Sequence, residues 1–152
     1  MKPCAAADES WTRCIALDPK HVAAHYYLGR CAAMCKHYAY AEEMYRKAIE
    51  LDPSYAQAYS SLGNILFDKK DYNGAEQMFR KAIDLDPSNP HGHNCLGNLF
   101  YIREEYADAL QMFLRVLELD PSDAFARQRL AATQVQLEKS SSNNRGCACC
   151  IQ

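Results

Sequence analysis

Apolar residues recur along most of the chain at the spacing of one face of an α-helix, and short polar breaks separate the stretches. One pair of stretches contains Tyr59, Leu62, Gly63 and Leu66, followed by Tyr72, Ala75, Phe79 and Ala82. Apolar positions three and four residues apart predict amphipathic helices. Each second stretch ends at a leucine followed by Asp-Pro, and proline disfavours a helical conformation in the residue before it. The pattern predicts an all-α chain of paired helices.

The helix pairs are copies of one unit. Asp-Pro recurs every 34 residues, at Asp18-Pro19, Asp52-Pro53, Asp86-Pro87 and Asp120-Pro121. Other columns keep this register: Leu28-Gly29, Leu62-Gly63 and Leu96-Gly97; Tyr45, Phe79 and Phe113; and Ala48, Ala82 and Val116. A fixed period of this size is typical of stacked helix–turn–helix units, which bury their apolar faces against their neighbours.

These columns resemble the tetratricopeptide repeat (TPR), which has a Leu-Gly pair, an alanine followed four residues later by an aromatic residue, and a closing proline. The resemblance covers about residues 3–138. It implies a right-handed superhelical solenoid of antiparallel helix pairs with a concave ligand groove. Two columns depart from the family. His25, Tyr59 and His93 replace a tryptophan, and Lys36, Lys70 and Glu104 replace the glycine of the inter-helix turn.

Local signals agree with this architecture. Gly29, Gly63 and Gly97 fall inside predicted helices, where glycine costs about 1 kcal/mol relative to alanine, so we expect a partner helix to approach closely there. Ser54 with Gln57 predicts a capping box for the next helix. Pro90 after Asn89 suits a first helical turn.

The copies divide the chain unevenly. Residues 3–19 match only the second helix of a repeat, and full repeats follow at 22–55, 56–89 and 90–123. Residues 124–138 match a first helix, in which Arg127 and Gln134 replace apolar residues, so this segment predicts a polar end cap. The N-terminal half repeat has no cap, and Ala7 and Trp11 lie on a face that expects a preceding helix. Residues 139–152 form a polar, cysteine-rich tail that we expect to be flexible.

Composition narrows the function. The formal net charge is −2 with no basic run, which argues against nucleic acid or an anionic bilayer bound by charge alone. No apolar run is long enough for a transmembrane helix, and the N-terminus lacks a signal-peptide core. We therefore expect a cytoplasmic protein whose eight cysteines are reduced thiols.

The last four residues, Cys149-Cys150-Ile151-Gln152, resemble a prenylation box in which the final glutamine favours a farnesyl group. The resemblance implies prenylation at Cys149 and palmitoylation at Cys147. The lipids would tether the chain to the cytosolic face of a membrane, and a second acyl chain would be needed because one lipid gives only marginal binding. A cysteine-rich end that arises by accident is the alternative.

Metal binding and catalysis find little support. Cys31 and Cys35 share one face of a predicted helix, and His91, His93 and Cys95 occupy every second position two repeats further on. Packed helices place the two groups on the order of 20 Å apart, so they cannot bind the same zinc ion. The chain carries no phosphate-binding loop, nucleophile elbow or zincin motif. We expect no enzyme activity, no metal and no cofactor.

The predicted binding site is the inner face of the first helices. Its members are the polar and aromatic residues Tyr26, Arg30, Gln57, Ser60, Asn64, Phe67, His91, Asn94, Asn98, Tyr101, Phe125 and Arg129. Amides there can pair with an extended peptide backbone, and the aromatic residues supply apolar anchors.

Three interpretations follow for the function. The first is a scaffold or adaptor that binds a peptide or helix in its groove. The second is a fragment or subunit that completes a larger solenoid, or self-associates, through the N-terminal half repeat. The third is a heat-shock co-chaperone, but of the cationic and amide residues that grip an acidic C-terminus only Asn64 and Arg129 fit.

Overall fold

The computed structural model describes the backbone of residues 4–146 and the side chains of residues 9–140 and 142. This part of the chain forms eight helices and no strand, as the sequence predicts. It divides into two compact units, one up to Pro87 and one from Ser88. The first unit contains α1 (Cys4–Leu17), α2 (Val22–Met34), α3 (Tyr38–Leu51), α4 (Ala56–Asp68) and α5 (Tyr72–Leu85). The second contains α6 (Pro90–Ile102), α7 (Tyr106–Leu119) and α8 (Ala124–Gly146).

Within each unit, every helix packs against the next one in sequence. In the first unit α4 also touches α2, which brings the first helices of two successive repeats together. The small and aromatic columns of the sequence form the core of each repeat. Its fully or nearly fully buried members are Ala41, Tyr45 and Ala48; Ala75, Phe79 and Ala82; and Ala109, Phe113 and Val116.

The helical glycines lie where two helices approach closely, as the sequence predicts. A Cβ atom added to Gly29 would lie 2.7 Å from the ring of Tyr45, and one on Gly63 would lie 2.5 Å from the ring of Phe79. At Gly97 the distance to the ring of Phe113 would be 2.9 Å. Each glycine therefore makes room for the aromatic residue of the second helix in its own repeat.

Several helices begin or end at the residues that the sequence predicts. Helices α3, α5 and α7 end at Leu51, Leu85 and Leu119, directly before Asp-Pro. Asn89 caps α6 by accepting a hydrogen bond from the His91 N–H at 3.0 Å, with Pro90 in the first turn.

The predicted capping box at Ser54 is wrong, because the N-cap residue of α4 is Tyr55. The Ser54 hydroxyl instead donates to the Asp52 carboxylate at 2.6 Å, and this local bond closes the turn before the helix.

Two further expectations need correction. Helix α8 continues to Gly146, past the predicted end at residue 138, and the Ser140 hydroxyl donates back to the Leu137 carbonyl at 2.8 Å. The expectation of reduced cysteines is wrong at Cys35, which is disulfide-bonded, whereas Cys14, Cys31 and Cys95 carry thiols. None of the helices in the described part of the chain has the length and apolar character needed to cross a membrane.

Candidate functional site

A cavity of about 260 Å³ opens on the first unit between α2, α3 and α4. Its lining combines charged, amide, hydroxyl and aromatic side chains: Arg30, Ala33, Met34, Tyr38, Tyr45, Ser61, Asn64, Ile65 and Asp68. Arg30 and Asn64 are two of the predicted groove residues, and they occupy equivalent positions in successive repeats, 34 residues apart. The cavity therefore lies between equivalent positions of two neighbouring first helices.

Aromatic rings hold Arg30 at the edge of this cavity. Its guanidinium lies 5.9 Å from the ring centre of Tyr26 and 5.7 Å from that of Tyr27. Tyr27 stacks on Trp11 with ring centres 4.7 Å apart, and Tyr26 meets Tyr55 edge-on at 5.2 Å. Cation–π contacts of this kind orient the guanidinium while its N–H donors stay accessible, since Arg30 is exposed.

Tyr45 forms the floor of the cavity. Its ring is buried, and its phenol is hydrogen-bonded to Ser61 on α4. Burial raises the pKa of Tyr45 to about 12, so the phenol is neutral at physiological pH. The floor thus offers a polar but uncharged surface that joins α3 to α4.

Met34 and Asp68 line the cavity although sequence reasoning did not select them. They are the last residues of α2 and α4 and are 34 residues apart, so they form a second column one turn beyond Arg30 and Asn64. Met34 is 74% exposed, and Asp68 is exposed as well. Extending the Arg30–Asn64 column by one helical turn would have identified both residues.

Other predicted residues of the first unit do not reach the cavity. Ser60 is only 5% exposed, and its hydroxyl donates to the Gln57 carbonyl at 3.1 Å, so its assignment to an exposed surface is wrong. Gln57 is exposed but lies outside the cavity lining. Phe67 packs edge-on against Tyr72 at 5.6 Å and is half-buried, which gives it a role in joining α4 to α5.

The second unit brings a similar arginine–aromatic group together. The Arg129 guanidinium on α8 lies 5.7 Å from the ring centre of Tyr101 on α6 and 5.2 Å from that of Phe125. Phe125 is 44% exposed. The Asn94 amide donates to the Asp123 carboxylate at 3.1 Å, and Asp123 also accepts from the Ala126 N–H at the start of α8. Asn94 therefore fixes the entry of α8.

His91 and Asn98 complete the predicted set in this unit. His91 is exposed, and its Nε2 lies 3.7 Å from the Cys95 sulfur one turn along α6. Asn98 is half-buried. Among the residues that the structure describes, no three histidine, cysteine or acidic side chains are grouped so as to hold a metal ion.

The structure describes the side chains of α1 from residue 9 onward. Trp11 is half-buried against Tyr27, and the described outward positions 9, 10, 12 and 13 of α1 are polar. The exposed large apolar side chain of this helix is Leu17, which is 81% exposed. The side chain of Ala7 and the two lipidation candidates, Cys147 and Cys149, lie outside what the structure describes.

Residues 38–67 and 63–101 match the TPR repeat family. Tetratricopeptide repeats are thus confirmed in this part of the chain. No curated protein sequence matches the chain.

Solved structures show the same fold. The crystal structure of MamA has a TM-score of 0.74 at 20% identity, covering 91% of this chain and 89% of that one. The first TPR of Spaghetti (RPAP3) bound to the HSP90 peptide SRMEEVD has a TM-score of 0.75 at 21% identity, covering 80% and 96%. YrrB, described as a TPR protein with an unusual peptide-binding site, has a TM-score of 0.75 at 28% identity, covering 83% and 65%. The predicted all-α solenoid fold is confirmed.

Proposed function

We propose that this chain is a non-enzymatic scaffold that binds an extended peptide from a partner protein in the groove between α2 and α4. The cavity at Arg30 and Asn64 carries this proposal. It is open at the surface, lies between two parallel copies of the same helix, and combines an oriented cation with amide and hydroxyl groups. Such groups satisfy the hydrogen bonds of a peptide backbone, which otherwise loses its bonds to water on binding.

The solved relatives support a peptide as the ligand. The Spaghetti domain holds a peptide, and YrrB is described as having a peptide-binding site. The acidic C-terminal peptide of the Spaghetti complex is a poor candidate for this chain, because Asn64 and Arg129 alone match the residues that grip two carboxylates.

The groove is tested by selecting peptides from a displayed random library with the intact chain. A variant carrying Arg30→Ala and Asn64→Ala should retain its helicity, because both residues lie inside helices and alanine is the best helix former. We expect its affinity for the selected peptides to fall by about tenfold or more. Capture that is unchanged in this variant would exclude the cavity as the binding site.

We also propose that the chain is cytosolic and is tethered to a membrane through Cys149, with Cys147 acylated. The sequence of the last four residues supports this proposal, since it resembles a prenylation box. In eukaryotic cells, Cys149→Ser should release the chain from membranes and Cys147→Ser should weaken its attachment. An intact mass that ends at Gln152 without an added lipid would remove the membrane proposal and leave the groove proposal untouched.

A further inference from the structure

The cavity of the first unit carries one charge of each sign. Arg30 lies on α2, and Asp68 is the last residue of α4. Both side chains are exposed, and among the described residues neither forms an ion pair. The nearby Lys69 does not neutralise Asp68, because it is paired with Glu42 on α3.

Arg30 and Asp68 line the same cavity, so one bound peptide can reach both charges. In an extended peptide, side chains two residues apart lie on the same side and about 6.7 Å from each other. Two alternate side chains of such a peptide can therefore face this cavity together, one toward each charge.

From this match we infer that the groove selects peptides with an acidic residue and a basic residue two positions apart. This inference rests on the proposed function. The acidic side chain pairs with the Arg30 guanidinium, which donates two hydrogen bonds to a planar carboxylate, and the basic side chain pairs with Asp68. The residue between them points away from the floor and is not selected. A second carboxylate in the peptide would meet Asp68, and this repulsion disfavours purely acidic ligands.

Short extended peptides with acetylated and amidated ends provide the test, since their termini carry no charge. Four peptides differ only at the two alternate positions, which hold Glu and Lys, Glu and Glu, Lys and Lys, or Gln and Gln. Fluorescence anisotropy with the intact chain should show the tightest binding for Glu and Lys, by about tenfold over Gln and Gln.

Charge reversals on the protein then shift the preference. Asp68→Lys gives the cavity two cations, and this variant should prefer the Glu and Glu peptide. Arg30→Glu gives it two anions, and this variant should prefer the Lys and Lys peptide. Asp84→Lys and Lys81→Glu make the same changes in charge at exposed positions on α5, outside the cavity, and should leave the original order unchanged.

The outcomes separate this inference from the proposed function. Peptides that bind equally well whatever their charge, or a preference that the two reversals leave unchanged, would overturn the inference while peptide binding itself stands. Failure of all four peptides to bind would also overturn the inference. The selection from a random peptide library would then test the proposed function independently.

Discussion

Three residues adopt a left-handed backbone conformation that the sequence did not predict. Lys36, Lys70 and Glu104 have φ angles of 62°, 64° and 64° and directly follow the capping residues of α2, α4 and α6. At the second of these sites the Lys70 N–H donates to Phe67 and the Asp71 N–H donates to Leu66, both at 2.9 Å. These paired bonds form a Schellman motif, which normally has glycine at this position. The repeat register identifies the three sites, but lysine and glutamate have no preference for this conformation, so only the structure shows it.

Replacing Lys70 with glycine should stabilise the chain. A Cβ atom in the left-handed region costs about 1–2 kcal/mol, and glycine removes this cost while losing some entropy on folding. We expect the free energy of unfolding in urea to rise by about 0.5–1 kcal/mol. Lys70→Ala removes the same charge but keeps the Cβ atom, so it should give no gain. An equal effect of the two substitutions would show that the charge, and not the backbone, matters.

The phenol of Tyr45 should make stability depend on pH in the alkaline range. Its pKa rises from 10.0 to about 12 on folding, because burial disfavours the phenolate. Below pH 10 both states are protonated, and stability is unaffected. Above pH 10 the unfolded chain loses this proton first, so the free energy of unfolding falls until about pH 12.

Tyr45→Phe removes this titration. At neutral pH the free energy of unfolding of the variant should be lower by about 1 kcal/mol, because the hydrogen bond to Ser61 is lost. At alkaline pH its stability should fall less steeply than that of the wild type. Chemical unfolding of both proteins at several pH values measures the difference. Parallel curves over this range would show that Tyr45 does not titrate differently on folding.

At the scale of elements, periodicity was sufficient for the helices and their pairing, because each pair buries apolar stripes and its second helix ends before Asp-Pro. The glycines also identified the close contacts correctly. The start of α4 was assigned wrongly, since Ser54 satisfies its hydroxyl locally at Asp52. The length of α8 was underestimated, because polar serines that usually favour loops bond back to the preceding turn, as Ser142 does to Glu138 at 2.8 Å.

The contact between α4 and α5 can be tested at Gly63. Gly63→Ala should gain about 1 kcal/mol of helix propensity and lose more than that by overpacking against Phe79, for a net loss of about 1–3 kcal/mol. The single variants and the double variant with Phe79→Leu form a thermodynamic cycle. We expect Gly63→Ala to cost less in the presence of Phe79→Leu, because the smaller side chain yields space. Strictly additive losses would show that Gly63 does not make room for this ring.

At the scale of the whole molecule, the repeat register aligned the helices that line the cavity but did not select most of the residues in its lining. Arg30 and Asn64 were found because the repeat register aligns them on successive helices. The sequence analysis selected Ser60, but Ser61 is the serine that lines the cavity. Neighbouring residues of a helix point about 100° apart, so an error of one residue selects a different face. Met34 and Asp68 were missed because they end their helices, where a pattern of apolar spacing no longer indicates direction.

The central claim is that the groove between α2 and α4 binds a peptide, and mapping by NMR tests it most directly. A peptide selected by the intact chain is titrated into the isotopically labelled protein, and the shifts of the backbone amides are followed. We predict that the largest changes cluster at the cavity lining, around Arg30, Ser61 and Asn64, and that the exposed face of α5 around Lys81 is unchanged. Changes centred on the α5 face, or binding that leaves the amides of the cavity unmoved, would contradict the account.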